Sequence, residues 1–400
     1  MATPLLVDLI LEIAARSDPA TLVRCAAACK DLRRHIADPG FRRRLRLRRS
    51  DDRFVPSLLR GHLVVGNSGV HDELRFFDTT SPYATKLLSA AACFPRGPDS
   101  EPLPVGELLA SRDGILLVRT ADDLRVCSHT AGRSQAIAIP HPPEPNSDAH
   151  YVLLGGGGGI DRPFRVLKVR LVLDQSGNVS GLRITVFLSE QNKWGTCSTK
   201  VPAPGIHGRS RSSRLTNPLV VGDDAVHWLC LTDTASYILT LHAVGAAAQV
   251  TSTRLPARIY GACREAQLHH MVLASMSPGG RPVVLVADSD RISMWAQHEH
   301  SARWKERPET VVDKEAVERY TQTGGLMGRW IGVPQLEWFA ERSGVVLFRF
   351  ISFGGWFWLD LRSMEVVRWF HPGFSWIPTS ISFPCEIDLA SWAPTFRKSL

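Results

Sequence analysis

The chain has 400 residues, 44% of them hydrophobic and 22% charged, an ordinary globular balance that suffices for a large core or for a small module beside a large domain. No apolar run reaches the roughly 18 residues needed to span a bilayer, and Asp8 and Glu12 stand where a secretory leader carries basic residues, so an intracellular protein is expected. The net charge of +8 does not mark a nucleic-acid binder, because six arginines between Arg42 and Arg49 supply most of it and no aromatic or amide residues are interleaved with them.

The chain opens with helical texture. Leu5, Leu9 and Ile13 recur at i, i+4, i+8, with Leu6 and Ile10 beside them, and this predicts an apolar stripe along one helix face. Asp18 can cap a second helix that Pro19 begins, since the missing N–H of proline costs nothing at the first helical position. Leu22, Cys25 or Ala26, and Cys29 continue the stripe. Lys30 to Arg34 turns polar, Ile36 is apolar again, and Asp38-Pro39-Gly40 stops the run before Phe41. Some forty residues of this kind bury little surface alone and are expected to lean on a partner or a neighbouring domain.

The series Leu5-Leu6-Val7-Asp8-Leu9, Glu12-Ile13, Asp18-Pro19, Cys29-Lys30-Asp31-Leu32-Arg33, Ile36 and Pro39-Gly40-Phe41 resembles an F-box. That family's pattern begins Leu-Pro-x-Asp-Leu and closes with Cys-Lys-x-Trp-Arg, a Leu or Ile, then Pro and Phe. Leu6 stands here for the usual Pro and Leu32 for the usual Trp, both apolar replacements. The resemblance covers about a tenth of the chain. It implies that residues 1–50 dock on the adaptor subunit of an SCF-type cullin-RING ubiquitin ligase, and through it on cullin, with Leu5, Leu6, Leu9, Ile10, Ile13, Leu22, Leu32 and Ile36 as the adaptor-binding residues. The adaptors of that family are acidic, which gives the Arg42–Arg49 run a neighbour.

Beyond Arg49 the texture changes to apolar runs of four to eight residues separated by Gly, Pro, Asp and Asn, a strand-and-turn pattern. Predicted strands run in order from His62 to Val65, Leu74 to Phe77, Gly114 to Val118, Leu124 to Ser128, Tyr151 to Leu154, Arg165 to Leu173, Leu182 to Leu188, Val226 to Leu231 and Tyr237 to Leu241. Others follow from Val283 to Ala287, Arg291 to Trp295, Gly344 to Phe350, Gly355 to Leu361 and Glu365 to Trp369, with one helix near Val312 to Thr321. Units of strand, acidic or Gly turn and strand recur at tens of residues, which suggests blades. The fold class is therefore an α+β multidomain chain: a small N-terminal helical module over 1–50, then a large all-β domain over 51–400, first an irregular β-propeller and second a large β-sandwich. The later units also resemble the β-rich C-terminal regions of plant F-box proteins.

Candidate chemical sites are weak. Gly155 to Gly159 lacks the Lys and Ser or Thr of a phosphate loop, and His298-Glu299-His300 lacks the i, i+4 spacing for a shared zinc, while His269 and His270 alternate sides if extended. The eight cysteines include no CxxC pair, and Cys93, Cys230, Cys263 and Cys385 sit in apolar surroundings. No nucleophile elbow, tuned acid pair or dinucleotide fingerprint occurs. No cofactor, metal or catalysis by the chain itself is expected. Trp330, Trp338, Trp356, Trp358, Trp369, Trp376 and Trp392 crowd the last quarter, mainly as blade filling, with Trp356 and Trp358 on one sheet face and Phe357 on the other. Arg209 to Arg214 reads as an exposed loop. The expected function is a cytoplasmic or nuclear substrate receptor that holds a target protein on the β domain, with no membrane and no nucleic acid as partner. The rival is a propeller-like scaffold or enzyme whose N-terminal helices are structural only.

Overall fold

The computed structural model describes residues 9–13, 19–38, 40–41, 54–55, 58–67, 72–78, 86–89, 107–120, 123–128, 135–142, 148–155, 162–195, 199–212, 215–222, 225–242, 248–262, 268–298, 301, 303–323, 332–350, 355–370, 377–378 and 382–386. A helical segment over 9–13 precedes α1 (Pro19–Ala28) and α2 (Lys30–Ala37). Leu11, Leu22, Ala26, Ile36 and Phe41 close into a small core of their own, with Cys25 and Leu32 at its margin.

Strands then arrive in groups. β1 (Leu59–Asn67), β2 (Asp72–Asp78) and β3 (Lys86–Ser89) form one sheet, and β4 (Glu107–Arg112), β5 (Ile115–Arg119), β6 (Leu124–Ser128) and β7 (Gln135–Ile139) a second. The third holds β8 (His150–Gly155), β9 (Phe164–Leu173), β10 (Val179–Leu188), β11 (Lys193–Trp194) and β12 (Thr199–Pro202). The fourth runs β13 (Leu219–Val221), β14 (Ala225–Leu231), β15 (Ser236–His242) and β16 (Gln249–Arg254), and is followed by α3 (Ala257–Ala262). The fifth is β17 (Met271–Ser275), β18 (Pro282–Ala287), β19 (Arg291–Trp295) and β20 (Glu309–Asp313), then α4 (Lys314–Thr323). The sixth is β21 (Gln335–Ala340), β22 (Val345–Arg349), β23 (Trp356–Asp360) and β24 (Glu365–Phe370). β25 (Ile377–Pro378) and β26 (Phe383–Glu386) return to the first sheet and pair antiparallel with β1.

Each sheet is antiparallel throughout, and the sheets meet one another in chain order, the third and fourth through β12 and β16. β26 packs on β4, β4 on β8, β14 on β17, β17 on β21, and β21 on β26. Six such sheets closed into a ring make a six-bladed β-propeller, and the second choice from sequence, a sandwich, is set aside. Both faces of a blade meet a neighbour, which is why middle strands read as unbroken apolar runs such as Ile-Leu-Leu-Val and Trp-Phe-Trp-Leu. The seams hold separate cores. Leu63, Phe76, Leu116 and Cys385 fill the first, and Ile115, Val126, Phe164 and Trp194 the second. Val152, Leu182, Trp228 and Leu241 fill the third, the fourth and fifth share one large cluster around Leu285, Phe348 and Phe357, and Phe77, Trp338, Trp356 and Trp358 close the ring.

Among the described tryptophans of the last quarter, Trp338, Trp356 and Trp358 are buried and Trp369 is half-buried, with Phe357 in the opposite seam as the alternation requires. Trp330, Trp376 and Trp392 lie outside the described residues. One expectation changes. His269 and His270 belong to a 3-10 turn (Leu268–His270) ahead of β17 rather than to a strand. Arg209 and Arg211 are exposed on a segment outside the named strands, as expected, and isolated bridges tie Arg209 to Asn178 and Ser210 to Thr232, with the Arg209 Nε–H on the Ser176 carbonyl at 2.6 Å.

Candidate functional site

Two features stand out against this frame: an apolar ridge on the N-terminal helices, and a charged brace at one end of the propeller ring.

The ridge arises because the 9–13 segment carries apolar residues on two faces. Leu11 points into the small core and is 2% exposed, whereas Leu9 and Ile13, roughly opposite on a helix, are 59% and 58% exposed. Ile10 is intermediate. Of the residues singled out from the sequence, Leu22 and Ile36 are buried beside Leu11 and Leu32 lies partly buried against them, so these three hold the module together. Leu5 and Leu6 lie outside the described residues. Leu11 and Phe41 are core residues that the stripe reading passed over. For Leu11 the available signal was its position two residues from Leu9, about 200° round the helix.

The brace sits where the leading strands end. Arg112, the last residue of β4, reaches three other blades: Nε lies 3.2 Å from Glu341 Oε2, Nη2 donates to the Gly222 carbonyl at 3.1 Å, and Nη1 to Leu153 at 3.4 Å. Glu341 also accepts the Val220 N–H at 2.6 Å. Asp113 pairs with Arg342, and Glu386 of β26 accepts the Ser343 N–H at 2.7 Å and the Ser343 hydroxyl at 2.6 Å. The polar groups thus join the first, second, third, fourth and sixth sheets. Asp113-Gly114 forms the β4–β5 turn with φ of 56° and 76°, a two-residue hairpin of the type that positive φ demands, and this aims Asp113 inward. Burial pushes Glu341 up to about 7 against the pull of Arg112, and pushes Glu386 up to about 7 against the hydrogen bonds from Ser343. Two guanidinium groups face three carboxyls here, so the site favours keeping one proton near neutral pH.

The sequence reading missed this cluster. Its residues are far apart in the chain, and their only local mark is charge at the ends of apolar strands. Among the described residues no group of three His, Cys, Asp or Glu side chains is arranged to hold a metal, and Cys127, Cys230 and Cys385 are buried thiols. A cleft of about 210 Å³ between the second and third sheets is lined by Ile137, Ile139, Phe164, Phe187, Arg162 and Glu190. No helix among the described residues is long and apolar enough to cross a membrane.

The model of the DUF7595 family, a domain of unknown function, matches residues 166–396, more than half of the chain. The chain belongs to the DUF7595 family. The match starts within β9 and runs past β26, leaving the N-terminal helices outside it. No curated protein matches the sequence. Among solved structures, a chain of a nidogen/laminin complex is similar at 10% identity, with 80% of this chain and 96% of that chain covered and a TM-score of 0.39. Apo AztD from Citrobacter koseri is similar at 11% identity, covering 80% and 82%, with a TM-score of 0.35. The Dos1 propeller follows at 10%, 78% and 67%, with a TM-score of 0.34. Likeness of this degree carries no argument, and the propeller assignment rests on the strand pairing.

Proposed function

We propose that this DUF7595 protein is a substrate-receptor subunit of an SCF-type ubiquitin ligase, binding the adaptor through its N-terminal helices and a target protein through the propeller. The supporting observation is the pair Leu9 and Ile13, exposed on a module whose own core is already filled. Leaving two large aliphatic side chains in water forgoes roughly 1.5–3 kcal/mol each, a cost that a partner helix would remove. The F-box resemblance of the same residues names the partner. In this reading Leu5, Leu6 and Ile10 extend the contact, Leu22, Leu32 and Ile36 support it from behind, and the chain acts in cytoplasm or nucleus without chemistry of its own.

Replacing Leu9→Asp with Ile13→Asp puts two charges into the apolar contact, each costing several kcal/mol. Adaptor co-purification should fall to background while circular dichroism of the strands stays unchanged. Undiminished co-purification would refute the assignment. A fragment of residues 53–400 should keep its target and lose the ligase.

A further inference from the structure

A second surface, independent of the adaptor reading, lies on the outer rim between the fourth and fifth blades. Beyond β19 the chain turns back on itself, with Gln297 bridged to Trp304, the His298 N–H on the Arg303 carbonyl, and the Lys305 N–H on the Ala296 carbonyl at 2.9 Å. Trp304 is half-buried against the large shared core, and its indole N–H donates to the Arg254 carbonyl at 3.1 Å. Side chains alternate across an extended segment, so an inward Trp304 turns Arg303 and Lys305 outward. Both are exposed, as is Arg307.

Other cations converge on the same rim. Arg258 of α3 donates through Nη1 to the Glu306 carbonyl at 3.2 Å, and Arg281 holds the carbonyls of His298 and Ser301 at 3.2 and 3.3 Å. Arg254 sits where the Trp304 indole is anchored. Among the described residues, Arg254, Arg258, Arg281, Arg303, Lys305 and Arg307 have no carboxylate partner, although Glu306 and Glu309 are exposed on the same stretch. Elsewhere Arg112, Arg119, Arg125, Arg342 and Arg349 each sit on an acid. Six cations against Glu306 and Glu309 leave the described rim net positive, and within a Debye length of about 10 Å that field is open to an anion.

We propose that this rim is a docking surface for an acidic segment of a partner protein, rich in Asp and Glu carboxylates. Charge complementarity selects the sign of the partner, and the hairpin's backbone and indole hydrogen bonds hold the cations in place before it arrives. A nucleic acid is disfavoured because the hairpin's Trp304 is turned into the core and presents no stacking platform.

The test is fluorescence anisotropy on the full chain with four labelled probes of matched length: an Asp/Glu-rich peptide, a phosphoserine peptide in a neutral background, a Lys-rich peptide, and oligo-deoxythymidine. Binding of the Asp/Glu-rich peptide at about 50 mM salt, weakening steeply by about 300 mM, is expected. Arg258→Glu with Arg303→Glu and Lys305→Glu should cut affinity by about tenfold or more, and the milder Arg303→Gln with Lys305→Gln should cut it in part. Lys193→Glu with Lys200→Glu and Arg362→Glu, an equal charge change away from the rim, should leave it near wild type. Equal losses in both triple variants, no binding of the Asp/Glu-rich peptide, or tighter rim-dependent binding of the phosphoserine peptide or the oligonucleotide would each overturn the proposal.

Discussion

Glu386 ties charge to fold at a single residue. Its carboxyl is buried and is held by the N–H and hydroxyl of Ser343 and the Arg342 N–H, while the Arg112 guanidinium pairs with Glu341 and that of Arg342 with Asp113. The folded value of about 7 lies above the ordinary 4.5, so the folded chain keeps a proton that the unfolded chain has already lost. That contribution is fully present below about 4.5 and is lost as pH rises through about 7; Glu341 acts in the same direction. Melting temperature should therefore decline between pH 5 and pH 8. Glu386→Gln keeps an acceptor for Ser343 without the charge, and should raise stability at pH 8 and flatten the profile. Thermal melts across that range check it, and parallel profiles for the two proteins would rule it out.

At the scale of strands and helices, the seam around Trp356 shows how packing fixes a blade. The rings of His62, Phe77 and Trp356 pack as a triangle, with His62 4.7 Å from Phe77 and 4.8 Å from Trp356 and those two 5.4 Å apart, and the Arg349 guanidinium covers the indole at 5.7 Å. Burial holds the His62 pKa well below its ordinary value, which keeps the imidazole neutral among these rings. Trp356→Ala opens a cavity at the closing seam and should cost roughly 3–5 kcal/mol, read as a shift in the denaturant midpoint. Such middle strands were legible because both faces are apolar: Leu124–Ser128 and Arg291–Trp295 match the sequence reading to the residue. The strands that escaped notice border the ring or the solvent. β4 (Glu-Leu-Leu-Ala-Ser-Arg) and β21 (Gln-Leu-Glu-Trp-Phe-Ala) carry the polar groups of the centre, while β16 (Gln-Val-Thr-Ser-Thr-Arg) faces water. Polar residues on a strand's open edge blur the two-residue period. The N-terminal ridge was half legible for a similar reason, since the apolar stripe announces a helix without saying which of its two faces goes inward.

On the scale of the whole molecule, the ring is closed by chain segments hundreds of residues apart. β26 pairs with β1 from Leu59 to Leu63 and packs on β4 and β21, and Ser111 adds a 2.6 Å hydrogen bond to the Pro384 carbonyl. Removing residues 377–400 deletes this strand together with Glu386, and should lower the melting temperature by several degrees or more and broaden the transition. Hydrogen exchange should then show β1 and β21 losing protection first. Exchange spread evenly over all six sheets would instead point to a ring that does not depend on its clasp.

That clasp also sets an order of events during synthesis. The helical segment that carries Leu9 and Ile13 leaves the ribosome before the propeller does, but the first blade cannot be completed until β26 has been translated. Until then β1 presents a bare edge, of the kind that chaperones shield and neighbouring nascent chains can invade. A chain halted before β26 would emerge with its helical end intact and its propeller unlocked, so translational pausing near that strand is where the yield of finished protein would be decided.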